Sequence, residues 1–251
     1  YQIDESIYVV GDEQNYHFKV LQLICQKLGL PGADGIYHLS YGMVELPTGK
    51  MKSREGTVVD ADDLVAEMKR LAKEQTEAAG KTEGFTTEEL DALYDMIGVG
   101  ALKFYLLRVE PKKKMIFNPE ESIDLHGFTA TFVQYAHARI SSILRKLDVD
   151  KNDINTAVNT ADLLPLEKAL LKHIEQYPAV LAQAAADHNP AAICNYVFQL
   201  AQAFNSFYDK CSIANAESED KKALRIVLAQ KTAQVIKHSM QLLGIQVPEK
   251  M

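Results

Sequence analysis

The spacing of apolar positions changes along the first part of the chain and predicts both strands and helices there. A short continuous apolar run at 7–10 predicts a β-strand, and residues 36–46 predict a second strand region. Between 15 and 29, apolar residues recur every three or four positions, which predicts a helix that ends at a glycine. Asp60 is placed to cap a further helix, over about 60–79.

The next apolar segment contains two glycines. Thr87 is placed to cap a helix that runs through about Asp95, and Gly98 and Gly100 then precede a separate apolar segment at 101–109. Because glycine weakens a helix interior, the pattern predicts two separate elements here.

Only helical periodicity remains beyond residue 127. Pro178 is expected to kink or break the second of four predicted helices, which lie at about 128–147, 163–187, 190–211 and 219–243. The fold class is therefore mainly α with an α/β N-terminal part. We expect two domains, 1–127 and 128–251, that pack together.

Composition restricts the classes of protein to be considered. The 251 residues are 47% hydrophobic and 24% charged, which is typical of a globular protein with a buried core. No apolar run reaches the ~18–20 residues of a membrane span, and three cysteines without a CxxC exclude a disulfide scaffold and a zinc ribbon. A reducing, cytoplasmic location is expected. The net charge of −7 argues against nucleic-acid binding through bulk charge alone.

Motifs of the commonest hydrolases and nucleotide switches are missing from the sequence. It contains no GxxxxGK[ST], HExxH, GxSxG or EF-hand pattern, and its seven histidines are scattered, so we expect no metal site.

The segment 49–59 carries the densest candidate chemistry. Lys50, Lys52 and Arg54 lie with Ser53 between two glycines, directly after a predicted strand. Such cations and hydroxyls bind polyphosphates, and cations already in place stabilise the charge that builds up on leaving phosphates. A solvated basic loop beside an edge strand is the alternative, and charge alone favours that alternative.

The residue order of this segment favours the polyphosphate-binding interpretation over the solvated loop. KMKSR at 50–54 resembles the KMSKS loop of class I aminoacyl-tRNA synthetases, and the EGTVV that follows is similar to the arginyl-tRNA synthetases. Four further segments resemble that family in the same order: YVVGDEQNYHF at 8–18, HLSYGMV at 38–44, VQYAHARI at 133–140 and LLGIQVPEKM at 242–251. The resemblance implies half of a Rossmann-type catalytic domain with stem-contact helices, followed by a DALR-type helical anticodon-binding domain.

The resemblance also implies an activity, arginine–tRNA ligation. In that family the arginine carboxylate attacks the α-phosphate of ATP, which enters with Mg²⁺ as substrate, and the terminal ribose hydroxyl of tRNA then takes the arginyl group. The implied partners are tRNA, ATP and L-arginine, with no membrane and no tightly bound metal. We expect a monomer.

Site residues carried over from the family fall into four groups. The catalytic loop residues would be Lys50, Lys52, Ser53 and Arg54. Gln14 and His17 would bind arginine. The residues that would contact ATP are Tyr41, Gly42, Met43, Val44 and Met51. Those that would contact the anticodon, where unpaired bases stack on aromatic and guanidinium planes, are Phe132, Tyr135, Arg139, Tyr208 and Met251.

Several of these roles have a structural alternative, and for Tyr41, Gly42, Met43 and Val44 it is ordinary strand core. Gln14 is placed to cap the following helix, and His17 is equally consistent with a packed histidine. Tyr135 and Tyr208 are also consistent with rings packed inside the bundle. Lys222 to Arg225 resembles the DALR signature with lysine in place of aspartate, and we expect helix packing there rather than base readout.

Three departures from the family pattern matter. Ser53 stands where many class I enzymes have lysine, and 127–131 departs from the usual segment that leads into the helical domain, which affects Phe132. The family's HIGH-type histidine motif is not found in the chain, whose first residues run at once into an apolar strand. We therefore expect a C-terminal fragment that does not activate arginine by itself.

Two alternative functions remain. One is a noncatalytic tRNA-binding or scaffold protein that keeps the synthetase fold, and an intact loop at 50–56 disfavours it because a pure binder needs no phosphate loop. The other is a different class I synthetase with a helical anticodon domain, such as the cysteine enzyme. The lack of zinc-type cysteine ligands and the C-terminal PEKM disfavour that enzyme.

Overall fold

A computed structural model describes residues 3–47, 60–80, 82–150, 154 and 158–251. They form two compact units: the first contains Tyr1–Val58 and Val109–Asn118, and the second contains Val59–Arg108 and Pro119–Met251. The elements are numbered in chain order across both units.

The first unit is built around parallel strands. Strand β1 (Ser6–Gly11) is followed by helix α1 (Asn15–Lys27), and β2 (Ile36–Tyr41) pairs parallel to β1 with Gly11 opposite Tyr41. Two shorter strands, β3 (Val44–Glu45) and β4 (Met115–Ile116), form a second parallel pair. The α/β character predicted for the start of the chain is confirmed.

The predicted strand region 36–46 is divided because the chain changes its partner. The Gly42 N–H donates to the Pro111 carbonyl at 2.7 Å, and the Met115 N–H donates to the Met43 carbonyl at 3.1 Å. The backbone thus leaves β1 after Tyr41 and joins the segment around β4, a non-local pairing that local periodicity does not encode.

The second unit is helical. Its helices are α2 (Ala61–Ala78), α3 (Thr87–Leu107), α4 (Pro119–Ser122), α5 (Ala130–Lys146), α6 (Pro165–Ala186), α7 (Pro190–Lys210) and α8 (Glu219–Leu242). The four helices predicted beyond residue 127 are confirmed. Asp60 caps α2 by accepting a hydrogen bond from the Asp62 N–H, as its position predicted.

The division of 87–109 into two elements is wrong, because α3 continues through both glycines. A Cβ at Gly98 would lie 2.7 Å from the Met68 carbonyl oxygen, and one at Gly100 would lie 2.8 Å from Gln134 Nε2. The glycines therefore let α2 and α5 approach α3 closely, and the packing of neighbouring helices outweighs their low helix propensity. Thr86 rather than Thr87 caps α3, in a capping box with Glu89.

Pro178 was expected to kink or break this helix, and a break is wrong because α6 is continuous from Pro165 to Ala186. The neighbouring Tyr177 ring stacks on Tyr196 of α7 at 5.4 Å, and its hydroxyl is 2.6 Å from His238 Nδ1 of α8. Packing against two helices holds α6 together at the point where proline removes a backbone donor.

Helices α2 and α3, which the sequence analysis placed in the domain 1–127, pack with the helical bundle. The division at residues 127 and 128 stays a prediction, because a compact packing unit and a sequence domain need not coincide.

None of the helices in the described part of the chain combines the length and hydropathy that a membrane span requires.

Candidate functional site

The residues predicted to bind arginine and ATP lie at the carboxyl ends of the parallel strands in the first unit. Gln14 ends the turn that follows β1 and occupies the N-cap position of α1, and Tyr41 ends β2. This is the edge of a parallel sheet where ligands bind in open α/β folds. The Gln14 side chain makes no capping hydrogen bond, and both Gln14 and His17 are exposed.

The strand end at 41–44 is tightly packed on one side. Tyr41 is 44% exposed, whereas Gly42 is buried, and a Cβ at Gly42 would lie 2.5 Å from the carbonyl of Lys113. Only glycine fits here, and it is the backbone of the Pro111–Lys114 turn that requires it. Met43 and Val44 are half-buried and pair with β4 through backbone hydrogen bonds.

The remaining predicted residues of this site are Lys50, Met51, Lys52, Ser53 and Arg54. They lie outside the described residues, and their roles stay predictions. The first unit also contains an open cavity of about 570 Å³ beside α1 and β2, lined in part by Phe18, His38 and Ser40. Gln14, His17 and Tyr41 are not among its lining residues.

The second unit brings four of the five predicted anticodon residues around one groove. Tyr135 and Arg139 of α5, Tyr208 of α7 and the terminal Met251 line a space of about 460 Å³. Both rings are half-buried, so they are neither fully packed inside the bundle nor fully in solvent.

Neighbouring contacts fix the orientation of these side chains. The Arg139 guanidinium lies 5.0 Å from the centroid of the Tyr135 ring and donates to Asn205 Oδ1 at 3.1 Å. The Tyr208 ring stacks on the buried Phe204 at 6.0 Å with an interplanar angle of 10°. Two rings and one guanidinium plane thus border a common space, which is the arrangement that stacks unpaired bases.

The fifth residue, Phe132, does not line this groove. It lies on the first turn of α5, and its ring packs 4.9 Å from that of Phe198, which in turn contacts Phe128 at 4.8 Å. Thr129 caps α5 by accepting a hydrogen bond from the Phe132 N–H. The segment that departs from the family pattern therefore leads Phe132 into an aromatic cluster within the bundle.

Three cations outside the predicted site residues border the same groove. Arg145, Lys146 and Lys250 line it together with a single acidic side chain, that of Asp209, among its described lining residues. Their signal in the sequence is weak, because Arg145 and Lys146 read as ordinary basic residues at a helix C-terminus.

A polar stripe on α5 holds the C-terminal tail at the groove. Gln134 Nε2 donates to the Gln246 carbonyl at 2.8 Å, and His137 Nδ1 donates to the Pro248 carbonyl at 2.9 Å. Ser141 Oγ donates to a carboxylate oxygen of Glu249 at 2.8 Å, and all three α5 residues are buried. Their spacing of three and four positions on an otherwise apolar helix face was the missed signal.

The DALR-like segment serves packing, as expected. Arg225 is 1% exposed; it donates from Nε to Glu167 Oε1 at 2.8 Å and from Nη1 to the Ser212 carbonyl at 2.6 Å. Burial alone would raise the pKa of Glu167. Hydrogen bonds from Lys221, Arg225 and the Leu164 N–H outweigh burial and lower that pKa overall.

Among the described residues, no three His, Cys, Asp or Glu side chains are grouped to hold a metal ion.

Comparison with known proteins matches both parts of the chain to models of synthetase domains. Residues 1–118 match the model described as the catalytic domain of class I (R) tRNA synthetases, and residues 133–251 match the DALR anticodon binding domain. The two matches follow one another along the chain with a short interval between them.

Individual relatives agree with these models. The arginine–tRNA ligase of Flavobacterium psychrophilum is 55% identical over 245 residues, which cover 98% of this chain and 40% of that protein. The Bacteroides fragilis arginine–tRNA ligase is 49% identical, over 100% of this chain and 42% of its own length. The Thermus thermophilus arginyl-tRNA synthetase structure superposes with a TM-score of 0.87 at 27% identity, over 99% of this chain and 41% of that chain. The chain thus spans about two fifths of the length of the relatives it matches.

Proposed function

Because the chain belongs to the arginyl-tRNA synthetase family, we propose that it forms the C-terminal part of an arginine–tRNA ligase. In this role the first unit contributes to the site where arginine is activated by ATP, with Mg²⁺ entering as part of the ATP substrate. The second unit binds the anticodon arm of the tRNA that accepts the arginyl group. The protein acts in the cytoplasm as a monomer.

The activation half of the proposal is supported by the strand ends of the first unit. Gln14 follows β1 and Tyr41 ends the neighbouring β2, so both stand at the edge where parallel strands present ligand contacts. The Gln14 amide suits a substrate carboxylate or guanidinium because it offers a donor and an acceptor without adding charge. Lys50, Lys52, Ser53 and Arg54 are proposed to stabilise the phosphates that leave as pyrophosphate.

The groove of the second unit is the observation that carries the anticodon proposal. Tyr135, Arg139, Tyr208 and Met251 come from three separate parts of the chain and border one space of about 460 Å³. Stacking an unpaired base on such a ring contributes on the order of 1–3 kcal/mol. Arg145 and Lys146 at the border of the groove add attraction for the RNA backbone, so a chain with a net charge of −7 still presents a local site for RNA.

The test is equilibrium binding of the chain to a tRNA with an arginine anticodon. Tyr208→Leu should weaken binding about 5- to 150-fold, which corresponds to the loss of one base stack. Tyr16→Leu is the matched control, because Tyr16 is 74% exposed on α1 in the other unit and should bind normally. Substituting the central anticodon base should weaken binding to the wild-type chain.

Two results would contradict the proposal. If the wild-type chain binds tRNAs with both anticodons equally tightly, it does not recognise the anticodon bases. If the Tyr208→Leu and Tyr16→Leu variants bind the tRNA equally tightly, the groove is not the place of contact.

A further inference from the structure

The penultimate residue of the chain reaches across to the connection between α2 and α3. Lys250 Nζ donates to the Gly84 carbonyl at 2.6 Å and to the Glu83 carbonyl at 3.3 Å. The same ammonium group lies 4.0 Å from the centroid of the half-buried Phe85 ring. Two carbonyl oxygens and one ring face together form a receptor for a cation.

The α2–α3 connection is shaped for this contact. Gly84 has a φ of +74°, a conformation that favours glycine, and a Cβ there would lie 2.9 Å from Lys250 Nζ. A side chain at this position would therefore meet the ammonium group. The same loop and the tail residues Pro248 and Glu249 border a second cavity, of about 290 Å³.

The tail makes contacts both before and after Lys250 along the chain. Before it, the Gln246, Pro248 and Glu249 carbonyls accept hydrogen bonds from α5, the last of them from Arg145 Nη1 at 2.9 Å. After it, Met251 lines the groove. Lys250 is thus the point at which the tail is tied to a different pair of helices immediately before its last residue enters the groove.

We propose that Lys250 is a positioning residue for anticodon recognition, which holds the end of the tail so that Met251 borders the groove in a defined place. This inference rests on the proposed function of the groove. Lys250 acts through its neighbour because its ammonium group is directed at two backbone carbonyls and a ring on the α2–α3 connection, although Lys250 is also one of the residues that line the groove. Through this contact, the position of Met251 at the groove depends on the α2–α3 connection.

The experiment compares Lys250→Met, which keeps the length of the stem and removes the charge, with Lys250→Arg, which keeps a cation for the Phe85 ring. Lys172→Met is the matched control, since Lys172 is an exposed lysine on α6. Dissociation constants are measured for tRNAs with an arginine anticodon and with a changed central base, at several salt concentrations. The release of Met251 by a carboxypeptidase, followed by mass spectrometry, measures how firmly the tail is held.

Lys250→Met should reduce the affinity ratio between the two tRNAs about tenfold, with an unchanged salt slope and faster release of Met251. Lys250→Arg should restore most of the ratio, and Lys172→Met should match the wild type. A lower salt slope with uniform weakening of all tRNAs would show direct phosphate contact and overturn positioning. Unchanged discrimination and unchanged release in Lys250→Met would overturn it as well.

A second variant covers the case in which Lys250→Met disturbs folding. Phe85→Leu removes the ring while leaving Lys250 in place, and it should lower discrimination and speed the release of Met251. Unchanged values in this variant would overturn the proposal. If the wild-type chain itself fails to discriminate between anticodons, the proposed function fails, and the release of Met251 alone decides whether Lys250 holds the tail.

Discussion

The buried ion pair between α6 and α8 offers the sharpest test of how the helical unit is held together. Glu167 is fully buried and accepts from Arg225 Nε at 2.8 Å, from Lys221 Nζ at 2.7 Å and from the Leu164 N–H at 2.9 Å. Arg225 is 1% exposed and has one further carboxylate partner among the described residues, Glu217, whose side chain is 65% exposed. The substitution Glu167→Gln keeps the shape of the side chain and removes its charge.

The expected cost follows from this burial. Removing one partner of a buried ion pair costs about 3–5 kcal/mol, because the other charge is left poorly compensated. Glu217 and the Ser212 carbonyl still bind Arg225 in the variant, so we expect the lower end, about 3 kcal/mol. For a unit of this size, that corresponds to a fall in Tm of about 6–12 °C.

Thermal unfolding followed by circular dichroism at 222 nm measures this loss. Glu217→Gln is the control, because an exposed partner contributes less than about 1 kcal/mol and its loss should shift Tm by less than about 4 °C. If the two variants melt together, burial does not determine the strength of this pair and the reasoning is wrong.

The same pair carries a dependence on pH. The folded state lowers the pKa of Glu167 below its usual 4.5, so the stabilisation is fully present above that value. It is lost as the pH falls through the lowered pKa of the folded state. The Tm difference between wild type and Glu167→Gln should therefore be constant from pH 7 to about 5 and shrink below about pH 4. A difference that grows on acidification would contradict this sign.

Three further predictions concern packing and RNA binding. Gly98→Ala should destabilise the helical unit by about 1–3 kcal/mol because its Cβ would press on the Met68 carbonyl, whereas Gly11→Ala, with 3.8 Å to its nearest neighbour, should melt like the wild type. Lys112, Lys113 and Lys114 form a basic turn that we expect to contact the tRNA backbone. Alanines at these positions should weaken all tRNAs alike and lower the salt slope by about one per lost phosphate contact, and an unchanged slope would contradict this contact. Asp209→Asn should raise tRNA affinity at low salt because it removes a negative charge beside the groove, a gain that should fade at high salt; weaker binding would instead indicate that the carboxylate contacts a base.

Local periodicity predicted helices α5 to α8 because each carries an apolar face that must be buried. Helices α5 to α8 lie within about three residues of their predicted ends. The same approach failed for α3, where Gly98 and Gly100 read as interruptions. Their function is to let α2 and α5 approach, and the identity of a neighbouring helix is not written in the local pattern.

The candidate sites show the same division. The KMKSR segment at 50–54 and the VQYAHARI segment at 133–140 were assigned to the candidate sites from residue order alone, and their roles stay predictions. The hydrogen bonds from Gln134, His137 and Ser141 to the tail were not foreseen, because their partners are separated from them by more than a hundred positions along the chain.

By itself, the sequence determined helices α5 to α8, which family the chain resembles and which side chains carry charge or rings. Only the tertiary structure decided that Tyr135, Tyr208 and Met251 border one groove and that Phe132 packs away from it. It also decided that Lys250 ties the tail to the α2–α3 connection. The physical reason is that periodicity and propensity act over a few neighbouring residues, whereas a groove is formed by side chains from distant segments that meet only when the helices pack.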